Sequence, residues 1–196
     1  MFRPLQNLDR YDIVLASGSP RRRELLSMLD VDFSVDTSHP IDEVVPPGIA
    51  DEDVPLFLSQ LKADAYPLET DDRRLVITAD TVVLIDGRIL GKPKDEAEAA
   101  RMLRMISGKT QRVVTGVTVR DAERSVCFSA ESKVNFAPLT DDEISWYVGH
   151  YRPLDKAGAY GIQEWIGAVG ITGIEGSFYN VMGLPVQKLY KILKEW

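Results

Sequence analysis

Cysteine is nearly absent from this 196-residue chain: Cys127 stands alone. No internal disulfide and no cysteine metal cluster can form, which fits a reducing cytoplasm. The two histidines, His39 and His150, lack metal-ligand spacing. No uninterrupted apolar run reaches membrane-spanning length, and residues 1–12 lack the apolar core of a signal peptide. Basic residues are the minority, 23 against 30 acidic, for a net charge of −7. That balance argues against a nucleic-acid backbone as partner. The nucleophile elbow of serine hydrolases is missing. Ser107-Gly108-Lys109-Thr110 ends like a P-loop, but the earlier glycine required by the spacing falls at Leu103. Internal repeats, low-complexity tracts and long linkers are missing as well.

With 44% hydrophobic and 27% charged residues, the chain reads as one globular domain, or two closely packed lobes, after a polar arm at residues 1–12. Basic charge gathers where it is least expected. Ile13-Val14-Leu15 is an apolar strand that stops at Ser17-Gly18-Ser19, and Pro20 starts a helix with Ser19 as its N-cap. Leu25, Leu26 and Leu29 continue at helical spacing. Arg21, Arg22 and Arg23 sit at the helix start, where the dipole favours anions. Two readings fit: a solvated basic cluster, or a turn that receives a polyanion such as a nucleotide's phosphates.

Further along, residues 31–35 alternate like a half-buried strand, 36–53 form a loop rich in proline and acid, and 54–65 form a helix that carries Lys62 beside its apolar face. Residues 75–85 are the strongest strand, nearly continuous in apolar and β-branched side chains, and therefore central in a sheet. Asp86-Gly87 turns it back as a hairpin. A helix is predicted over 94–106, long antiparallel strands over 111–119 and 125–136, and a helix from Thr140 with Glu143 completing a capping box. A glycine-rich turn covers 157–161, a strand 169–174, and a terminal helix starts at Pro185. Strands and helices are mixed, with hairpins and crossovers, which makes the fold α/β or α+β.

Asp80 is the sharpest single residue. A carboxylate inside a core-type strand costs several kcal/mol unless its charge is compensated, in the range of roughly 2–7 kcal/mol for buried polar groups and more for ions. Either a cation and phosphates share its site, or it caps backbone at a strand end. On local grounds alone Lys62 reads first as a snorkelling stem, and Lys92, before Pro93, first as surface. Glu43 has no local signature. With no covalent nucleophile in evidence, metal-assisted attack by water is the chemistry these residues suit best.

Five stretches now line up: Leu15-Ala16-Ser17-Gly18-Ser19-Pro20-Arg21-Arg22, Ala79-Asp80-Thr81, Gly91-Lys92-Pro93, the run from Asp155-Lys156 to Ile162-Gln163, and Gly183-Leu184-Pro185. In that order they resemble the motifs of the Maf family of nucleoside triphosphate pyrophosphatases, from about residue 13 to the end of the chain. The resemblance implies a mixed twisted sheet with flanking helices, like inosine triphosphate pyrophosphatases, with two lobes around a deep cleft. It implies hydrolysis of a nucleoside triphosphate to monophosphate and pyrophosphate with a divalent metal, Mg or Mn. By motif, Asp80 takes the proton of the attacking water and holds metal with Glu43. Ser17, Ser19, Arg21 and Arg22 bind phosphates, and Lys62 and Lys92 neutralise charge. Arg21, Thr81 and Gln163 are similar to the trio of the branch acting on dTTP and UTP. A homodimer and a role in division control or nucleotide-pool cleaning also come with the family. A nucleotide-binding regulator and a house-cleaning enzyme for modified nucleotides are the alternatives. The sequence departs from the pattern at Glu164-Trp165, where relatives often carry a glycine, which leaves the shape of that loop open.

Overall fold

A computed structural model describes residues 3–196. Seven strands form one mixed sheet: β1 (Asp12–Leu15), β2 (Phe33–Val35), β3 (Arg74–Ile85), β4 (Arg88–Leu90), β5 (Thr110–Arg120), β6 (Ser125–Phe136) and β7 (Ile171–Glu175). Their order is β2-β1-β3-β5-β6-β7, with β4 paired to β3. The helices are α1 (Pro20–Ser27), α2 (Val54–Asp64), α3 (Glu96–Ile106), α4 (Asp141–Tyr151), α5 (Trp165–Gly170), α6 (Phe178–Met182) and α7 (Val186–Lys194).

The chain divides into two compact units. Among the described residues, the first comprises 3–80, 115–130 and 183–196; the second comprises 81–114 and 131–182. In the first, β1 pairs in parallel with both β2 and β3. Each of these parallel neighbours needs a crossover, and α1 and α2 supply them. The run Leu75 to Ala79 is fully enclosed, as its continuous apolar pattern predicts. Helix α2 lies directly on β5, because a Cβ at Gly116 would fall 2.3 Å from the Leu56 backbone. A polar chain fastens the same contact: Thr78 Oγ1 donates to Ser59 O at 2.6 Å, and Ser59 Oγ meets Thr118 Oγ1 at 2.9 Å.

In the second unit β3 folds back on β4 through Asp86 and Gly87, both at positive φ (50° and 70°). That is the backbone of a type I′ hairpin turn. Helix α4 carries the predicted capping box at Thr140 and Glu143.

Four expectations need correction. Residues 169 and 170 close α5 rather than open a strand, and β7 begins at Ile171. A short apolar run does not distinguish helix from strand by period, and Gly167 lets α5 pack where a Cβ would meet Ile162 O at 1.9 Å. Helix α3 starts at Glu96 because Asp95 accepts from Glu98 N as its cap. Strand β2 is an edge strand with Ser34 and Val35 exposed. In the segment read as an arm, residues 6–8 make one 3-10 turn, Leu5 and Leu8 are buried, and Asn7 Nδ2 donates to Leu193 O at 2.8 Å. Among the described residues no helix is long and apolar enough to cross a membrane.

Candidate active site

Three elements remote in sequence bring charge together in the first unit. Lys62 on α2 places Nζ 2.7 Å from Asp80 Oδ1 on β3 and 2.9 Å from Glu43 Oε1 in the 36–53 loop. Asp80 and Lys62 are largely enclosed, with side chains 15% and 19% exposed, while that of Glu43 is 52% exposed. Asp80 Oδ2 accepts no hydrogen bond among the described residues. The sheet carries the aspartate to this point, and the Gly116 contact together with Arg120 sets the height of Lys62. Arg120 Nη1 donates to Ala63 O at 2.8 Å and so ties down the last turn of α2.

The acidic loop is anchored where it leaves β2. Asp36 N donates to Leu15 O at 3.1 Å, and Tyr66 OH donates to Asp36 Oδ2. The Tyr66 hydrogen bond, followed by the donors of Ser38, holds the Asp36 carboxyl down to about 2. His39 packs edge-on against Tyr66, with ring centroids 4.5 Å apart. Tyr66 sits just past α2, so the loop bearing Glu43 and the helix bearing Lys62 share one anchor.

The arginine turn follows its predicted local design. Ser19 Oγ accepts from Arg22 N, and Pro20 opens α1. The Arg22 side chain turns inward: Nε donates to Gly183 O at 2.9 Å, and Nη1 donates to Ala79 O at 2.8 Å and to Ser17 Oγ at 3.3 Å. Burial lowers its pKa; Asp80 and Glu43 pull it back up, and Arg21 adds to the lowering. Arg22 thereby braces the strand carbonyl next to Asp80, a link the sequence did not reveal. It also gives Gly183, the start of the Gly183-Leu184-Pro185 stretch, a physical task. An open groove of about 930 Å³ runs past Ser17, Ser19 and Arg23.

The other predicted residues belong to the second unit. Thr81 is half-buried on β3, next in sequence to Asp80, and Lys92 is exposed after β4. Gln163 is exposed in the turn before α5. Gly158 N donates to Gly91 O at 3.1 Å, which stitches the Lys92 loop to the glycine-rich turn. Gly158 is at φ +69° with Val83 Cγ2 3.1 Å from where a Cβ would stand, so only glycine fits there.

Glu43 and Asp80 form a hard, all-oxygen donor pair, and no third histidine, cysteine or acid joins them in a metal-sized group among the described residues. Mg and Mn are commonly held by one or two carboxylates, with substrate phosphates and waters filling the other positions. The open Asp80 oxygen suits that arrangement.

Known proteins resemble this chain along nearly its whole length. Residues 12–196 match the family model described as Maf-like protein. A Bacteroides fragilis (strain YCH46) protein named dTTP/UTP pyrophosphatase is 53% identical over 191 residues, covering 97% of this chain and 99% of its own. A Porphyromonas gingivalis (strain ATCC 33277) protein of the same name is 55% identical over 194 residues, covering 98% of each. Among solved structures, a HAM1 protein from Coxiella burnetii aligns over 95% of this chain and all of its own, with a TM-score of 0.51 at 16% identity. That likeness establishes the fold alone. The match along nearly the whole length, at more than half identity to curated relatives, settles the lineage: this chain belongs to the Maf family.

Proposed function

We propose that this protein is a nucleoside triphosphate pyrophosphatase that hydrolyses dTTP and UTP to the monophosphate and pyrophosphate. The observation that carries the reading is the convergence of Glu43 and Asp80 on Lys62, with one Asp80 oxygen accepting no hydrogen bond among the described residues. The names of the relatives support the choice of substrate.

Glu43 and Asp80 would hold a divalent cation, Mg or Mn, which when bound neutralises phosphate charge and makes water more acidic. Asp80 Oδ2 accepts the proton of the water that attacks the α-phosphorus. A new P–O bond forms there as the α–β bridging P–O bond breaks and pyrophosphate departs. Lys62 fixes Asp80 through Oδ1, so the free oxygen is presented in one orientation. The Ser17–Ser19 turn, Arg21 and Arg22 bind the phosphate chain at the start of α1, where the helix dipole favours an anion. Arg22 does so from a guanidinium already braced on the Ala79 and Gly183 carbonyls. Lys62 and Lys92 disperse the charge that grows on the leaving group. Arg21, Thr81 and Gln163 select the base: a site built to hydrogen-bond one base edge rejects others strongly, because a wrong base leaves buried polar groups unpaired. We place the enzyme in the cytoplasm, acting on free nucleotides, as one domain over residues 13–196 and as a homodimer.

The test is product analysis. Incubation with dTTP or UTP and Mg should yield monophosphate and pyrophosphate in equal amounts. Diphosphate with orthophosphate as first products would reject the mechanism. Nucleotide binding without turnover would leave a nucleotide-binding regulator as the better reading.

A further inference from the structure

The turn bearing Gln163 is clamped from both ends by a single buried phenol. Gly161 O accepts from Glu164 N at 3.0 Å, so residues 161–164 form a β-turn with Gln163 as its second central residue. Tyr147, fully enclosed on α4, donates its hydroxyl to Glu164 Oε2, and the Tyr147 hydroxyl oxygen itself accepts from Gly161 N at 3.0 Å. The other carboxylate oxygen, Glu164 Oε1, lies 3.1 Å from Lys156 Nζ, which also pairs with Asp155 Oδ1 at 2.7 Å. Gly161 leaves room for this arrangement, since a Cβ there would stand 2.6 Å from the Glu164 carboxyl carbon.

Helix α5 forgoes something for it. Glu164 is the N-cap residue, yet its side chain makes no capping hydrogen bond. Ser, Thr, Asp or Asn would serve that end better. The glutamate fits the phenol and the lysine instead of the helix. Burial, then the hydrogen bond to Glu164, pushes the Tyr147 phenol well above its ordinary pKa, so it remains a donor throughout the working range.

We infer that Glu164 is a positioning residue for base selection: through Tyr147 and Lys156 it fixes the backbone on either side of Gln163, and so sets how sharply the enzyme separates uracil and thymine from other bases. The inference rests on the reading of Gln163 as a base-selecting side chain. An exposed glutamine discriminates only if its backbone cannot drift, because a misplacement of about 1 Å is enough to forfeit much of a hydrogen bond's selectivity.

The experiment compares the full-length protein with Glu164→Ala, Glu164→Gln, Tyr147→Phe, Gln163→Ala and the double variant Gln163→Ala/Glu164→Ala, measuring kcat and KM on dTTP and CTP with Mg. Glu164→Ala is expected to raise KM for dTTP about tenfold and lower the dTTP-over-CTP ratio of kcat/KM about tenfold, with kcat on dTTP kept within about threefold. Glu164→Gln, which can still accept from the phenol, should fall between it and wild type. On the Gln163→Ala background, Glu164→Ala should change the ratio less than about twofold, the signature of two residues acting through one path. An equal effect on both backgrounds, or no change in the ratio, overturns the inference. If Gln163→Ala alone leaves the ratio unchanged, the reading of Gln163 fails first and takes the inference with it. Should Glu164→Ala not fold, Glu164→Gln and Tyr147→Phe give the same comparison.

Discussion

Two lysines in this protein each lie between two carboxylates. Lys62 has Asp80 at 2.7 Å and Glu43 at 2.9 Å; Lys156 has Asp155 at 2.7 Å and Glu164 at 3.1 Å. Their exposures match closely as well: the better-enclosed acid is 15% exposed in one trio and 18% in the other, and the outer acid 52% against 58%. Charge count and burial therefore do not separate them. Saturation does. Both oxygens of Glu164 are engaged, one by an ammonium and one by a buried phenol. Asp80 Oδ2 accepts no hydrogen bond among the described residues. The enclosed acid of the first trio has acceptor capacity left for a cation or a proton, whereas that of the second has both oxygens engaged. The Lys62 trio draws on a loop, a helix and a strand far apart in the chain, while the Lys156 trio comes from one short stretch and stiffens that stretch.

The largest effect should come from Asp80→Asn. Turnover of dTTP is expected to fall by about a thousandfold or more, the scale of losing a general base. Binding of the nucleotide, read by calorimetry, should survive. Its melting temperature should stay level or rise, since site carboxylates held in a partly enclosed place detract from stability. Glu164→Gln should melt lower than wild type. If the two variants shift the melting temperature alike, the distinction between an open and a closed trio breaks.

Gly116→Ala tests how Lys62 is placed. The added methyl group collides with the Leu56 backbone, not with a flexible side-chain tip. A loss of about 1–3 kcal/mol in urea denaturation should follow. It should be accompanied by a fall in kcat/KM as α2 and its lysine shift away from Asp80. Unchanged activity in a destabilised variant would show that the lysine's height is set elsewhere.

Tyr147→Phe sharpens the other half. It strips the acceptor from the buried Gly161 N–H and the donor from Glu164. About 1–3 kcal/mol of stability should go with the stranded groups, read from the same urea titration.

The smallest expected effect lies at acid pH, in the tether of the Glu43 loop. Asp36 in the folded protein titrates at about 2, against about 3.9 in an unfolded chain. The folded state thus binds fewer protons in that window. The contribution of this carboxylate is complete above about pH 4 and disappears as pH falls toward 2. Tyr66→Phe, lacking the main hydrogen bond, should lose stability relative to wild type at neutral pH, and the gap should close between pH 4 and 2 in acid titrations followed by circular dichroism.

Much of the fold can be read along the chain because its signals are local. The continuous apolar run of β3, the Asp86-Gly87 turn, the Ser19-Pro20 helix start and the Thr140/Glu143 capping box each depend on neighbours within a few residues. Asp80 stands out for the same reason, as one charge inside an oily strand. Short helices carry too few turns for a period to show, so α5 and α6 escape notice and residues 169 and 170 read as strand. Leu5 and Leu8 sit among polar neighbours, and nothing local says they are buried.

The residue types and their order determined the sheet, the arginine turn and an acid that demands compensation, since propensity, capping and hydrophobic period act over one or two turns of chain. Only the tertiary structure decided which groups answer that demand. It brought Lys62 between Asp80 and Glu43, turned Arg22 inward onto two backbone carbonyls, and closed Glu164 against Tyr147. Those choices belong to packing: an ammonium or a phenol reaches a carboxylate only after helices have docked on strands, and the distances that make one oxygen available and another spoken for are set by that docking.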